Sequence, residues 1–193
     1  MWTGIWAEKR ESGFTLLGLL SAVVILGILA GIAIPNYQSW LPKSRVNGAA
    51  RALFSDLQLA RMSAISENNN YVITFDTGNN RYRIYDDNDN DFATAGAEPG
   101  ELVKTVDIDD RYQGIGYGYI PGNNPSGGAI TGEVTFTGTP PRFIFEPTGL
   151  SNKAGSVYLK PTGDDVRKDR QRAITVSSIG RVKLWRHTGS VWK

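Results

Sequence analysis

The chain has 193 residues, 40% hydrophobic and 21% charged, with a formal net charge of +2 and one strongly apolar stretch near its start. That leaves room for a single soluble domain of ordinary size behind an anchor, and excludes two large domains. With no cysteine there is neither a disulfide framework nor a thiolate site, and one histidine, His187, supplies almost no material for a Ser-His-Asp triad or a histidine metal site, so the chain does not read as an enzyme.

From Phe14 to Ile34 no residue is charged, and only Thr15 and Ser21 carry polar side chains. As a helix this stretch reaches about 30 Å, the thickness of a bilayer's hydrocarbon core. A secretory signal peptide competes with a membrane span, because Lys9 and Arg10 precede the run and Gly31 and Ala33 could form a small-residue cleavage site. The run is longer than the apolar region of a signal peptide, about 7–15 residues. Lys9 and Arg10 before the span and Lys43, Arg45 and Arg51 after it leave orientation undecided on positive charge alone.

The junction separates these readings. Glu8-Lys9-Arg10-Glu11-Ser12-Gly13-Phe14-Thr15-Leu16-Leu17 is a short charged leader ending in Gly, followed at once by Phe and the apolar run. It resembles the processing site of type IV prepilins and type II secretion pseudopilins. The resemblance implies that a prepilin peptidase cuts between Gly13 and Phe14 on the cytoplasmic face and methylates the new N-terminal Phe14. Pro35, the twenty-second residue after that cut, stands where family members commonly carry proline. One position departs from the pattern. The fifth mature residue, usually a Glu that neutralises a neighbouring subunit's N-terminal amine, is Gly18 here. A carboxylate in hydrocarbon requires pairing, so its loss suits a tip or low-copy subunit; alternatively Gly18, Gly27 and Gly31 allow close helix packing.

Beyond Pro35, Val46, Ala50, Leu53, Leu57, Ala60 and Ala64 are spaced as one face of an amphipathic helix, with Arg45, Arg51, Asp56 and Arg61 largely off that stripe. The helix is expected to end by Glu67, before Asn68-Asn69-Asn70, and to be kinked or loosened between Pro35 and Pro42. Tyr71–Phe75 and Arg81–Tyr85 read as a hairpin. Further strands are expected at 102–106, 134–136, 143–145, 157–159, 173–176 and 182–185, with the seven glycines from Gly114 to Gly132 in a long surface loop.

Leu57-Gln58-Leu59-Ala60-Arg61-Met62-Ser63-Ala64-Ile65, Phe145-Glu146-Pro147-Thr148-Gly149 and the run from Ile174 through Gly180-Arg181-Val182 resemble the GspH/FimT group of minor pseudopilins. The resemblance implies an α+β fold, a long N-terminal helix with a membrane-spanning first half packed on a β-rich, two-sheet C-terminal head. The expected organisation is a leader (1–13), a membrane and filament-core helix (14–35), its amphipathic continuation (36–67) and the head (68–193).

The charges are segregated along the chain. Ten acids stand against Arg81, Arg83 and Lys104 between Tyr71 and Asp110, and ten Lys or Arg against Asp164, Asp165 and Asp169 from Ser151 onward. Two partner surfaces or two solvated faces would both give this pattern. In the acidic part Asp87, Asp89, Asp91 and Glu98 match positions 1, 3, 5 and 12 of a calcium loop, although Phe92 replaces the turn glycine; calcium is the candidate cofactor, a solvated hairpin loop the alternative. In the basic part Arg170, Arg172, Arg181, Lys183 and Arg186, with Trp185, are candidates for a DNA surface that takes phosphates and stacks bases; a solvated strand edge is the alternative. Some FimT-type pseudopilins serve DNA uptake through a Gly-Arg-x-Arg element, whose last position is Lys183 here. The expected function is a minor pilin or pseudopilin that initiates or caps a type IV pilus or type II secretion pseudopilus, anchored once in the bacterial inner membrane with its head in the periplasm or on the filament. Its expected partners are prepilin peptidase, other pilins or pseudopilins and, in the alternative function, DNA.

Overall fold

The computed structural model describes residues 15–89 and 101–193. Gly13, Phe14, Asp91 and Glu98 therefore lie outside the described residues. Helix α1 runs from Leu16 to Glu67, and the chain divides into two compact units at Trp40 and Leu41.

In the first unit, Leu16–Ile34 has a mean hydropathy of 2.7 and is wholly unburied within the chain. Leucine, isoleucine and valine point outward all round this stretch, so it has no inner face that a soluble fold would require.

The second unit is built on the rest of α1. Val46, Ala50, Leu53, Leu57, Ala60 and Ala64 are all buried, as the spacing predicts, and Ala49 joins them. Asp56 departs from that reading. It is buried as well, its carboxylate accepting from Tyr82 Oη and from Lys104 Nζ, both at 2.7 Å. Two donors from the sheet cover a charge that helical spacing alone assigns to solvent.

Against this helix lie two antiparallel four-stranded sheets. The first has the order β3-β2-β1-β5, with β1 Asn70–Asp76, β2 Arg81–Asp87, β3 Leu102–Asp107 and β5 Arg142–Phe145. The hairpin β1–β2 pairs Asn70 with Asp87 through to Asp76 with Arg81. The second has the order β4-β6-β7-β8, with β4 Ile115–Tyr117, β6 Gly155–Pro161, β7 Arg172–Val176 and β8 Val182–Arg186. A single turn of helix, α2 Ile108–Arg111, follows β3. Phe75, Phe136, Phe143 and Phe145 stack or meet edge-on beneath α1, with Val157, Leu159, Ile174 and Val176 from the second sheet closing the core.

Two strand expectations change. Residues 134–136 form no strand but one bridge, Val134 to Val157, with Thr135 N–H donating to Ser156 O. The reason is shared space, because β4 takes the rest of that edge of β6, pairing Ile115–Tyr117 with Leu159–Pro161. The glycine-rich stretch thus contributes a strand. Gly116 is needed there because a β-carbon would press on the Asn80 side chain, whose Oδ1 accepts Tyr117 N–H at 3.0 Å and ties the two sheets together.

Candidate functional site

Three sites follow from the sequence, and the head displays two of them. At the first, the β2–β3 pairing brings Asp87 at the end of β2 beside Glu101 just before β3, where Asp86 N–H donates to Glu101 O at 2.8 Å. Asp87, Asp89 and Glu101 each place a carboxylate oxygen within 4.8 Å of the others, with Asp87 and Glu101 buried and Asp89 exposed. The loop template finds Asp87 and Asp89 but misses Glu101. Strand register, not loop spacing, supplies that residue: Tyr85 pairs with Leu102, which sets Glu101 beside the end of β2. Three hard oxygen donors of this kind are the chemistry of a calcium or magnesium ligand set.

At the second, the five basic candidates separate. Lys183 and Trp185 alternate along β8, the last strand of its sheet, and so share one face, with Arg181 exposed directly before the strand begins. Lys183 Nζ lies 4.5 Å from the centre of the Trp185 ring, a cation–π contact, while Trp185 Nε1 donates to Thr175 Oγ1 at 2.9 Å. Arg186 is exposed at the strand's end.

Arg170 and Arg172 do not join them. Arg172 is 1% exposed, donating from Nε to Asn47 Oδ1 at 2.6 Å and from Nη1 to the carbonyls of Asp169 and Gln171, while its Nη2 is buried without a partner. Burial, reinforced by Arg186, lowers its guanidinium to about 10 against the opposing pull of Asp169. Arg170 Nη1 is paired with Asp164 Oδ2 at 3.0 Å. Both arginines hold the segment before β7 in place, which removes them from a DNA-facing group. The sequence shows their charge but not that β7 faces inward.

The third feature is the apolar stretch Leu16–Ile34, followed by the exposed Tyr37 and Trp40, whose rings lie 6.2 Å apart. Aromatic side chains next to such a span are typical of the membrane–water boundary. Gly18 N–H is taken by Thr15 Oγ1 at 3.2 Å, and a β-carbon at Gly27 or Gly31 would meet nothing within 4 Å in this chain.

Known proteins fall in line with this layout. The sequence profile described as Type II transport protein GspH matches residues 49–180, and that of the Prokaryotic N-terminal methylation motif matches residues 9–34. A fimbrial protein of Pseudomonas aeruginosa is 32% identical over 126 residues, covering 65% of this chain and 77% of the relative. The type IV major fimbrial protein FimA of Dichelobacter nodosus is 51% identical over 40 residues, 21% of this chain and 26% of its own. In fold the chain is similar to the minor pseudopilin EpsH of the Vibrio cholerae type 2 secretion system, with a TM-score of 0.50 and 13% identity over 74% of this chain and 97% of that one.

Proposed function

The chain belongs to the GspH family and is a minor pilin-like structural subunit of a type IV pilus or type II secretion pseudopilus, and from that premise we propose that it occupies an initiating or capping position. One observation carries this reading: an apolar helix left entirely uncovered by its own chain, lying within the stretch that matches the methylation motif. Such a helix needs lipid before assembly and other subunits' helices afterwards. Leader removal between Gly13 and Phe14 by a prepilin peptidase releases it, and the helix anchors the chain once in the inner membrane with the head on the periplasmic side. Gly18 supports the terminal position, because without a carboxylate there the subunit has nothing to pair with the amine of a neighbour. Gly27 and Gly31 leave a bare strip four residues apart, where a neighbouring helix approaches closely. Its role is structural rather than catalytic.

Fractionation of sheared filaments tests this. The chain is expected in the filament fraction at far lower abundance than the major subunit, and Gly18→Glu raises its share by letting it take positions along the shaft. Absence from filaments, with the chain processed and present in the membrane, contradicts the reading.

A second reading, a filament-displayed DNA-binding subunit, is favoured by Lys183 and Trp185 on the last strand of the sheet with Arg181 directly before it. For the acidic site, calcium is the cation proposed for Asp87, Asp89 and Glu101. Calorimetry should then show binding that Asp89→Ala and Glu101→Ala each weaken, and no heat with millimolar calcium rejects it.

A further inference from the structure

The C-terminal strap crosses the outer face of the second sheet and leaves a cleft beside it. Trp192 packs on Tyr158 and edge-on against His187, 4.8 Å between ring centres, and its Nε1 donates to Asn123 O at 2.7 Å. Between this strap and the turn at Asn123–Gly127 lies a cavity of about 480 Å³, lined by Asn123, Pro125, Lys168, His187, Ser190 and Trp192 among others. That volume lies within the range of small-molecule sites, about 300–1,000 Å³.

The lining has a definite chemical bias. It contains a cation, an imidazole, two carboxamides, a hydroxyl and an indole, and no carboxylate. In the acid-bearing segment around it, Lys160 pairs with Asp165, Arg170 with Asp164 and Lys43 with Asp169, so those carboxylates are taken by other cations. Among the described residues neither Lys168 Nζ nor the Asn123 carboxamide nor Ser190 Oγ has a hydrogen-bond or ion-pair partner. Lys168 Nζ stands above Gly122, 3.4 Å from where a β-carbon would be, so glycine leaves the ammonium room at the cleft wall. Gly189 N–H donates to His187 Nδ1 at 2.9 Å, which leaves the proton of the neutral ring on Nε2 as a further donor. Burial and the neighbouring Lys168 lower the pKa of His187, with Asp169 opposing, so the neutral ring is the form present at pH 7.

We propose that this cleft binds a sugar ring bearing a carboxylate. Lys168 takes the carboxylate as a charge-assisted contact, Asn123 and Ser190 exchange hydrogen bonds with ring hydroxyls or an acetamido group, and Trp192 with Pro125 faces the apolar side of the ring. The ligand class follows from this combination: a bare anion has no use for the indole and carboxamides, and a neutral sugar leaves the ammonium unmatched.

The test uses the full chain in detergent micelles and three probes: N-acetylmuramic acid, N-acetylglucosamine, which lacks the carboxylate-bearing arm, and acetate, which lacks the ring. Ligand-detected NMR titration is expected to show N-acetylmuramic acid binding about tenfold more tightly than either of the others. Lys168→Gln should remove that preference while leaving the melting temperature in place, since the ammonium makes no bond within the fold. Ser190→Ala should weaken both sugars and leave acetate unchanged. Equal affinity for the acid and the neutral sugar, acetate binding as tightly as the acid sugar, indifference to Lys168→Gln, or no binding of any probe overturns the proposal.

Discussion

Gly149 and Gly180 stand back to back, the carbonyl oxygen of Gly149 filling the space that a β-carbon on Gly180 would need. Both have left-handed backbones, φ +75° and +71°, and Arg61 of α1 donates from Nε to that same carbonyl at 2.8 Å. The turn after β5, the turn before β8 and the helix are thereby fastened at one point.

Gly180→Ala should therefore be among the most damaging single changes in the head. It combines a left-handed backbone with a backbone clash that no rotamer relieves, and a loss of about 3 kcal/mol, roughly 6–12 °C in melting temperature, is expected. Gly163→Ala is the control. Gly163 has φ +77° but open space around it, so only the backbone strain of about 1 kcal/mol applies. Thermal melts of the two variants that coincide would contradict the clamp.

This junction shows how far the sequence could be read. The three segments that resemble the GspH/FimT group, around Arg61, Gly149 and Gly180, are those that meet here, yet Arg61 and its acceptor Ile179 lie 118 residues apart and only folding brings them together. The helix stripe and seven of the eight strands among the described residues were legible because burial imposes a period on each. Strand β4 was not, since two of the glycines that look like loop signals, Gly116 and Gly118, instead make way for the side chains of Asn80 and Lys160. Glu101 was hidden for a related reason: register across a sheet leaves no local spacing. The inward orientation of Arg172 likewise depends on which face of β7 meets α1, where its Nε finds Asn47.

The buried Asp56 gives a second prediction. Asp56→Ala strands the Tyr82 hydroxyl, 2% exposed as a residue, without its acceptor and leaves Lys104 unpaired, so a loss of about 2 kcal/mol is expected, with Asp56→Asn milder because it retains an acceptor. Alkaline melts probe the same region. Burial and a bond to Glu67 push Tyr71 up to about 12, and burial, then Asp56, raises Tyr82 further. The unfolded chain loses these protons near pH 10 while the folded chain keeps them, so this stability is fully present below about pH 10 and falls as pH rises above it. Tyr82→Phe should make that fall shallower. An unchanged slope would show that Tyr82 is not among the groups responsible.

For the DNA reading, affinity must fall as salt rises, by a slope of about −0.9 per phosphate neutralised on duplex DNA. Arg181→Ala and Lys183→Ala should each flatten it by roughly one contact and weaken all sequences alike, whereas Asp89→Ala should not weaken binding. Arg172→Ala should lower the melting temperature without changing the slope, because its guanidinium is enclosed. A folded chain that shows no gel shift at low salt, or that binds indifferently to Arg181→Ala and Lys183→Ala, rules this reading out.

N-terminal sequencing with mass measurement on the chain recovered from membranes tests the central claim most directly. A pilin-like subunit carrying this motif begins at Phe14 with a methylated amine, and a Gly13 substitution that blocks cleavage leaves the leader attached. A chain that begins at Met1 with Gly13 intact, or near Ile34 as after signal peptidase, contradicts it: in the first case the helix is an ordinary anchor, and in the second it is discarded before any filament can form.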